Sequence, residues 1–317
     1  MSEVVSDWRD MVPVANPAVV LVPAALFLLI GWLHYRLHRR PGEDRGFAGH
    51  LFPAALYRRA PGAISLLNYI LSTSLLFKGS GGVAAILTAQ WLFERIVPGS
   101  GAPPTHRLLA AAAQVLLIWL ARDLGNYLQH FAQHKSRILW RLHRPHHAVE
   151  QLTPFVQVQG HPLDLLMGTI LAFPVILLGT MLALAGTGGH ILPETLAGLV
   201  IVAGIEQLKG ALGHSHLPIS FGRWNRLILA PVMHQLHHSA EPHHHGRNLG
   251  STFGLWDWLF GTLYIPAPGE TWRLGLDPHL LGGNSPYRCI ADIYVEPVTS
   301  ACREALATIG NGHAQSN

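Results

Sequence analysis

Long apolar runs alternate with short polar or basic stretches along most of the chain. From Pro17 to Leu33 no side chain is charged or strongly polar, and with Val12–Ala15 in front the run is long enough to span about 30 Å of hydrocarbon. Leu165–Gly186 is a second run, 22 residues long and without a charge. Each run predicts a membrane-spanning helix.

A third helix is predicted to leave the membrane partway along its length. Leu108–Ala121 is apolar apart from Gln114, and no helix breaker separates it from residues 122–134, which are more polar. Shorter apolar segments add candidate membrane passes: Ile64–Phe77, Val83–Val97 and Thr195–Ile205. We therefore predict an all-α integral-membrane bundle of about four to six membrane segments with a histidine-rich helical cap.

The composition supports a membrane protein. Hydrophobic residues make up 49% of the 317 positions and charged residues only 13%, about half the usual charged share. The net charge is +4 and no basic block suggests a nucleic-acid partner. The two cysteines, Cys289 and Cys302, imply no disulfide framework, which fits a reducing compartment.

The positions of basic residues indicate which side of the membrane the histidine-rich cap faces. The segments Arg36–Arg45, Arg58–Arg59, Lys135–Arg144 and Arg223–Arg226 can all lie on one side of the membrane, and this side also carries the grouped histidines. The positive-inside rule places such a side in the cytosol. We expect an integral protein of the bacterial inner membrane or an equivalent membrane, with its cap facing the cytosol.

The 21 histidines are the main chemical signal, because many of them fall at helical spacing. Three groups share this property: His130-x-x-x-His134, His143-x-x-His146-His147 and His234-x-x-His237-His238. Residues three and four apart lie on one helix face, and imidazole is the commonest metal ligand near neutral pH. Eight histidines exceed what one tetrahedral ion needs, so the pattern predicts two metals rather than a histidine-rich solvated face.

Other metal sites and common catalytic motifs do not fit. A bundle-type di-iron carboxylate protein needs two Glu-x-x-His motifs, and the chain has only Glu241-x-x-His244. A zinc-protease H-E-x-x-H motif, a G-x-S-x-G motif, a P-loop and a dinucleotide fingerprint are all absent from the sequence. What remains is an all-histidine site at a membrane surface.

Further motifs surround the histidines in a specific order over residues 123–264. They are Asp123-x-x-x-Tyr127-x-x-His130-x-x-x-His134, Leu139-Trp140-x-x-His143-x-x-His146-His147, His161-Pro162-Leu163-Asp164, His214-Ser215, His234-x-x-His237-His238, Asn248-Leu249-Gly250 and Trp256-Asp257-x-Leu259-Phe260-Gly261-Thr262. In these motifs the chain resembles the fatty acid hydroxylase/sterol desaturase superfamily of integral-membrane di-iron oxidases.

The resemblance implies a cytosolic cap that holds two irons and uses O2 to hydroxylate or desaturate a lipid C–H bond. The lipid class is open: sterol, fatty acyl chain, carotenoid or a related molecule. The electrons would come from a separate donor protein, which is cytochrome b5-like, a ferredoxin or a reductase. The implied metal ligands are His130, His134, His143, His146, His147, His214, His234, His237 and His238.

The chain departs from this family pattern at two positions. Relatives often carry a histidine where this chain has Gly210, so one ligand is missing, replaced by water or supplied elsewhere. They also often carry an acidic residue at the position of Gly246. The adjacent His243, His244 and His245 are either surplus surface histidines or a substitute ligand, and we expect them at the surface.

Several polar residues outside the implied ligand set have expected roles of their own. We expect His161 to cap or orient a helix, and the Trp256–Thr262 motif to lock the cap. His34 and His38 are expected at the interface rather than in a metal site. Glu206 is either functional or part of an interfacial ion pair with Lys209.

We divide the chain into N-terminal membrane segments and linkers (1–105), a catalytic domain (106–270) and a C-terminal extension with a polar tail (271–317).

Two functions are alternatives to a lipid oxidase: a histidine-rich zinc transporter and a non-catalytic membrane scaffold. A transporter needs polar side chains deep inside several spans, and Pro17–Leu33 and Leu165–Gly186 offer none. The intact histidine motifs argue against a scaffold.

Overall fold

The computed structural model describes residues 18–39, 46–57, 65, 67–68, 80–97, 101, 104–276, 287 and 289–314. The described chain is all-α, and its only β-type pairings are two isolated bridges. Its α-helices are α1 (Ala18–His38), α2 (Phe47–Leu51), α3 (Ala54–Tyr57), α4 (Ser80–Ile96), α5 (Arg107–Lys135), α6 (Arg137–His147), α7 (Pro162–Ala185), α8 (Pro193–Gly213), α9 (Pro231–His237), α10 (Leu255–Leu259) and α11 (Ile290–Ala314). Short 3₁₀ helices form at Pro154–Val158, Gly222–Arg226 and Pro242–His244.

Four of the described helices are long and apolar enough to cross a membrane: α1, α5, α7 and α8. This number lies at the lower end of the expected four to six. The Thr195–Ile205 segment, which looked short for a span, is part of the 21-residue helix α8. Val83–Val97 lies mostly in the 17-residue helix α4, whereas Ile64–Phe77 lies largely outside the described residues.

The long helices present apolar side chains outward. Highly exposed examples are Leu21, Leu108, Leu178, Leu182 and Ile201, each at least 60% exposed. Such a surface is unfavourable in water but matches lipid hydrocarbon. The outer surface of these helices is therefore suited to a bilayer.

Small residues let α5 and α7 approach closely. A Cβ added at Gly179 would lie 2.1 Å from the Cβ of Ala121, and one added at Gly125 would lie 3.1 Å from the carbonyl oxygen of Ala172. Close packing of small residues is a main source of helix association in lipid, where the hydrophobic effect between helices is lost. This contact fixes the position of α5, the helix that carries the first histidines.

A buried amide ties the far end of the bundle together. Gln114, on α5, donates to Thr187 Oγ1 and to the carbonyl oxygen of His190, both at 2.8 Å. Its Oε1 accepts from Thr195 Oγ1 at 2.6 Å. Since unpaired polar groups are strongly unfavourable in hydrocarbon, this network links α5 to the α7–α8 turn.

Helix α5 places its histidines just beyond the membrane. His130 follows Arg107 by 23 positions, which is about 35 Å along a helix at 1.5 Å per residue. The hydrocarbon layer is about 30 Å thick. The prediction of one long helix through this region is confirmed, because α5 runs unbroken from Arg107 to Lys135.

Charged residues join α5 and α8 to the cap. Arg122 Nη2 lies 2.8 Å from Glu206 Oε2. Lys209 Nζ donates instead to the carbonyl oxygens of Ser251 and Thr252, each at 3.0 Å. Of the two alternatives for Glu206, the ion pair with Lys209 is not formed, because Glu206 pairs with Arg122 and the cap supplies carbonyl acceptors for the lysine.

The C-terminal extension packs on the histidine-bearing helix α6. The buried Arg144 guanidinium donates to Tyr287 Oη at 2.7 Å and forms an ion pair with Glu296 of α11. Arg141, also on α6, pairs with Glu304 of α11 at 3.0 Å. Arg144 precedes His146 by two residues, so α11 contributes to the position of the histidines.

We predict that Glu296→Gln destabilises the protein by about 2 kcal/mol, because it leaves the buried Arg144 charge without its carboxylate. Glu304→Gln is the matched control on the same helix; its partners Arg137 and Arg141 are more exposed, so its effect should stay within about 1 kcal/mol. Thermal denaturation in detergent measures both. Equal midpoints for the two variants would contradict a special role of the Arg144 pair.

Candidate metal centre

The turn between α5 and α6 folds the histidine-rich stretch back on itself. Ser136 ends α5 and caps α6, because its Oγ accepts from the backbone N–H of Leu139 at 3.3 Å. A serine at this position satisfies a free N–H of the first helical turn. The turn brings the histidines of α6 beside those of α5.

Four histidines from three elements form what we call the first cluster: His130, His134, His147 and His237. One ring nitrogen from each lies within 4.8 Å of the others. His130 Nε2 is 3.2 Å from His134 Nε2 and 3.1 Å from His237 Nε2. These separations suit two ligands on one ion, since metal–imidazole bonds are about 2.0–2.1 Å long.

Four more histidines form the second cluster: His146, His214, His234 and His238. His214 Nε2 is 3.3 Å from His146 Nε2 and 2.9 Å from His234 Nε2. His214 follows directly after α8 and closes the site from the wall opposite α6.

The two clusters lie side by side. His146 and His147 are sequence neighbours on α6 but belong to different clusters, with ring centroids 5.4 Å apart. The rings of His147 and His238 stack at 4.7 Å across the boundary. The geometry therefore offers two adjacent metal positions, as the spacing of the motifs predicted.

His143 lies at the edge of the first cluster rather than within either group of four. Its Nε2 is 3.2 Å from His147 Nε2, and its Nδ1 is 3.0 Å from Asp164 Oδ2. Gln133 in turn donates to the other carboxylate oxygen of Asp164 at 2.6 Å. A carboxylate behind a histidine fixes the ring and raises its basicity as a ligand. His143 can serve as a further donor to the first metal position.

Backbone carbonyls fix the orientation of the other rings. Four Nδ1 atoms each lie 2.7–3.0 Å from a carbonyl oxygen: His130 with Leu249, His237 with Arg247, His146 with Gln159 and His214 with Gly210. A carbonyl can only accept, so each Nδ1 carries the proton and each Nε2 keeps its lone pair. The lone pairs point into the clusters, as metal ligation requires.

These rings are neutral as well as oriented. Burial lowers the pKa of His237 to about 3, and it holds the pKa values of His146, His147, His234 and His238 well below the ordinary range. Neighbouring histidines lower most of these values further. Both ring nitrogens of His238 are buried without a hydrogen-bond partner. A buried set of neutral, facing nitrogens fits a bound metal ion.

Asp123 anchors the cap to α5. Its carboxylate accepts from the backbone N–H groups of Thr252 and Phe253, at 2.8 and 3.0 Å, and from Trp256 Nε1 at 3.0 Å. The residue is fully buried. The sequence pattern included Asp123 but did not reveal this role, because its partners lie about 130 positions away.

Asp257 holds the loop that orients His130. Its carboxylate accepts from the backbone N–H groups of Leu249 and Gly250, at 2.7 and 2.8 Å, and from Thr262 Oγ1 at 2.6 Å. Leu249 is the residue whose carbonyl binds His130 Nδ1. The prediction that this motif locks the cap is confirmed.

The predicted role of His161 is also confirmed. It is the N-cap of α7, where its Nδ1 accepts from the backbone N–H of Leu163 at 3.0 Å. Its Nε2 binds the carbonyl oxygen of Tyr294 on α11 at 3.0 Å. Both ring nitrogens are occupied by these contacts, so His161 orients a helix.

His34 and His38 end α1 as expected, but they have a partner that the sequence did not reveal. His34 Nδ1 lies 3.1 Å from His50 Nε2, and the His38 ring stacks on His34 with centroids 4.2 Å apart. His216 Nε2 binds the carbonyl oxygen of His50 at 2.9 Å. His216 therefore faces away from the second cluster, toward α2.

At Gly210, where relatives often carry a histidine, a glutamine side chain occupies the space. A Cβ there would lie 2.5 Å from Gln157 Oε1, so the side chain of Gln157 fills this space. The expectation that His243–His245 lie at the surface is wrong for His244, which is 1% exposed and bound to Ser239 and Glu270. His243 and His245 are exposed.

Comparison with known proteins identifies the fold that holds this site. Residues 115–262 match the family model for fatty acid hydroxylase. Over this segment, just under half of the chain, the protein is similar to the fatty acid hydroxylase family. This match includes all nine predicted ligands, and α11 lies beyond it.

Three curated relatives illustrate the range of this family. The chain is 26% identical over 166 residues to the ornithine lipid hydroxylase OlsE of Rhizobium tropici, covering 52% of this chain and 46% of the relative. It is 29% identical over 153 residues to methylsterol monooxygenase 2-2 of Arabidopsis thaliana, covering 48% and 52%.

A third relative is the very-long-chain aldehyde decarbonylase GL1-8 of Oryza sativa subsp. indica, with 30% identity over 161 residues, covering 50% and 55%. The chain thus spans about half the length of the curated relatives it matches. No solved structure matches the chain.

We predict that His214→Ala loses about half of the bound metal, because the second cluster then keeps only three imidazoles. His216→Ala is the matched control, since its Nε2 binds the His50 carbonyl instead of the cluster, and it should retain the metal content of the wild type. Metal analysis of the purified proteins measures both. A similar, mild loss of bound metal in the two variants would show that His214 is not a metal ligand.

Proposed function

We propose that the chain is a membrane-bound non-haem di-iron oxidoreductase that uses O2 to hydroxylate a lipid C–H bond. The observation that carries this proposal is the pair of adjacent four-histidine clusters, just beyond the membrane end of α5. All nine histidines predicted as ligands lie in or beside these clusters, and we propose them as the ligand set.

Two irons would supply the O2 activation that side chains alone do not provide. Imidazole suits iron but also zinc, copper and nickel, so the donor set alone does not choose the metal. The similarity to the fatty acid hydroxylase family supports iron. The residues of the chain keep the ring nitrogens deprotonated, fix their directions through carbonyls, and exclude water by burying His143, His147 and His238.

The reaction needs two electrons and two protons besides O2. One oxygen atom enters the new C–O bond, and the other leaves as water with the electrons and protons. A separate electron donor, such as a cytochrome b5-like protein, a ferredoxin or a reductase, would supply these electrons.

A lipid substrate fits the position of the site. The clusters lie about 35 Å along α5 from its other end, where the helix leaves the hydrocarbon, so an acyl chain or ring system can reach them from the bilayer. The names of two relatives, a lipid hydroxylase and a sterol monooxygenase, support oxygen insertion over desaturation. The lipid class stays open among sterols, fatty acyl chains, carotenoids and related molecules.

Growth under ¹⁸O2 tests this function. Cells that make the wild-type protein should contain a lipid with one labelled oxygen, and cells with His238→Ala should lack it. The purified wild type should hold about two iron atoms per chain. A new double bond without label would show desaturation instead. Exchangeable zinc with no lipid product would favour a transporter, and neither metal nor product would favour a scaffold.

The orientation is proposed from charge. Lys135, Arg137 and Arg223 are exposed on the side that carries the clusters, and the positive-inside rule places that side in the cytosol. Cys289 and Cys302 are exposed and lie at or on α11, which packs on α6. These two native cysteines therefore report on the side of the membrane that carries the clusters, and no cysteine has to be introduced for this purpose.

We predict that a membrane-impermeant thiol reagent labels Cys289 and Cys302 only after the cytosolic side is opened. A cysteine-free chain carrying Gly186→Cys, at the exposed turn after α7, is the control and should react from the outside. Labelling of the native cysteines in intact cells would show that the clusters face the outside, opposite to the proposed orientation.

A further inference from the structure

A third group of possible metal donors lies outside the two clusters. His243, His244 and Glu270 each offer one atom, and the three atoms lie within 4.8 Å of one another. The first two residues belong to the 3₁₀ helix after the third histidine motif, and Glu270 belongs to a loop of the cap. The proposed di-iron function does not use these residues.

The carboxylate of Glu270 is held in place by the cap. Its Oε2 accepts from the backbone N–H of Ala267 at 2.8 Å, and its Oε1 accepts from Tyr264 Oη at 2.9 Å. These two contacts fix the direction of both carboxylate oxygens. The carboxylate therefore has a fixed position.

Both histidines turn toward this carboxylate. His244 Nε2 lies 2.9 Å from Glu270 Oε1, and His243 Nε2 lies 4.0 Å from the same atom. The two rings have centroids 3.9 Å apart. His243 is exposed, yet its ring lies against His244 instead of extending into water. The Nδ1 of His244 binds Ser239 Oγ at 2.9 Å, which leaves its Nε2 directed at Glu270.

We propose that His243, His244 and Glu270 bind a third metal ion, a divalent cation of the zinc type. Two imidazoles and one carboxylate are a donor set that zinc accepts, with water in the fourth position on the exposed side. Ligand atoms on a tetrahedral zinc lie about 3.3 Å apart, given bonds of about 2.0–2.1 Å. His243 reaches this distance by a small rotation of an exposed side chain, while His244 and Glu270 already lie closer.

Such an ion would stabilise the wall behind the second cluster. Ser239, which binds His244, directly follows His238 of that cluster. Glu270 belongs to the loop that returns to His238, because Gly275 N donates to the His238 carbonyl oxygen at 3.2 Å. A metal that joins the two segments would restrain the third histidine motif without entering the di-iron site.

Zinc titration of the iron-loaded protein in detergent tests this site. The wild type should bind one Zn²⁺ per chain in equilibrium dialysis, and zinc should raise its thermal midpoint. His243→Ala should weaken zinc binding by at least about tenfold, because loss even of an outer-shell partner has this effect at metal sites. His245→Ala is the matched control, since this exposed neighbour is not part of the group, and it should bind zinc like the wild type.

Iron content is measured in the same samples and should be unchanged in every variant. Zinc binding that displaces iron, equal losses in His243→Ala and His245→Ala, or no stoichiometric zinc in the wild type would each overturn the third site. A wild type without iron would instead count against the proposed function, and His243→Ala would still report on zinc.

Discussion

The structure depends on one electrostatic constraint: the lone pairs of neutral imidazoles face one another inside a buried pocket. In water such nitrogens would be hydrated or protonated, but burial holds the pKa of His237 at about 3 and leaves both nitrogens of His238 without a partner. In the pairs His130–His237 and His146–His214, every Nδ1 donates to a carbonyl, so the Nε2 atoms lie 3.1–3.3 Å apart with no proton between them and repel unless a cation lies between them. The rest of the fold holds these rings where a cation can bind them.

The constraint is met from two directions. From the membrane, small residues such as Gly125 and Gly179 let α7 pack tightly on α5, which fixes His130 and His134 beyond the hydrocarbon. From the cap, the carbonyl oxygens of Leu249 and Arg247 accept the Nδ1 protons of His130 and His237, and the buried carboxylate of Asp257 holds the Leu249 segment in place. When the Nδ1 of a ring is held by a hydrogen bond, the direction of its Nε2 lone pair is fixed as well. The ligand directions are therefore set before a metal binds.

Residues beyond the family match also support the site. Helix α11 lies after residue 262, yet Glu296 binds the buried Arg144 between the histidines of α6, and the Tyr294 carbonyl binds His161. The expected division into a catalytic domain and a separate C-terminal extension stays a proposal. Physically, the extension and the histidine motif share buried charges, so neither can move without the other.

The sequence by itself determined three things: the helical fold class, the presence of helices long and apolar enough to span a membrane, and the grouping of histidines suited to metal binding. All three follow from local periodicity. Uncharged runs long enough for the bilayer predicted α1 and α7, and the three- and four-residue spacing put His143, His146 and His147 on one face. Only the tertiary structure decided how the histidines divide, since His146 and His147 are neighbours yet face different clusters. It also decided that His244 is buried and that Leu249 orients His130, a contact between residues 119 positions apart. Local patterns carry no information on such contacts, because they depend on which distant segments pack together.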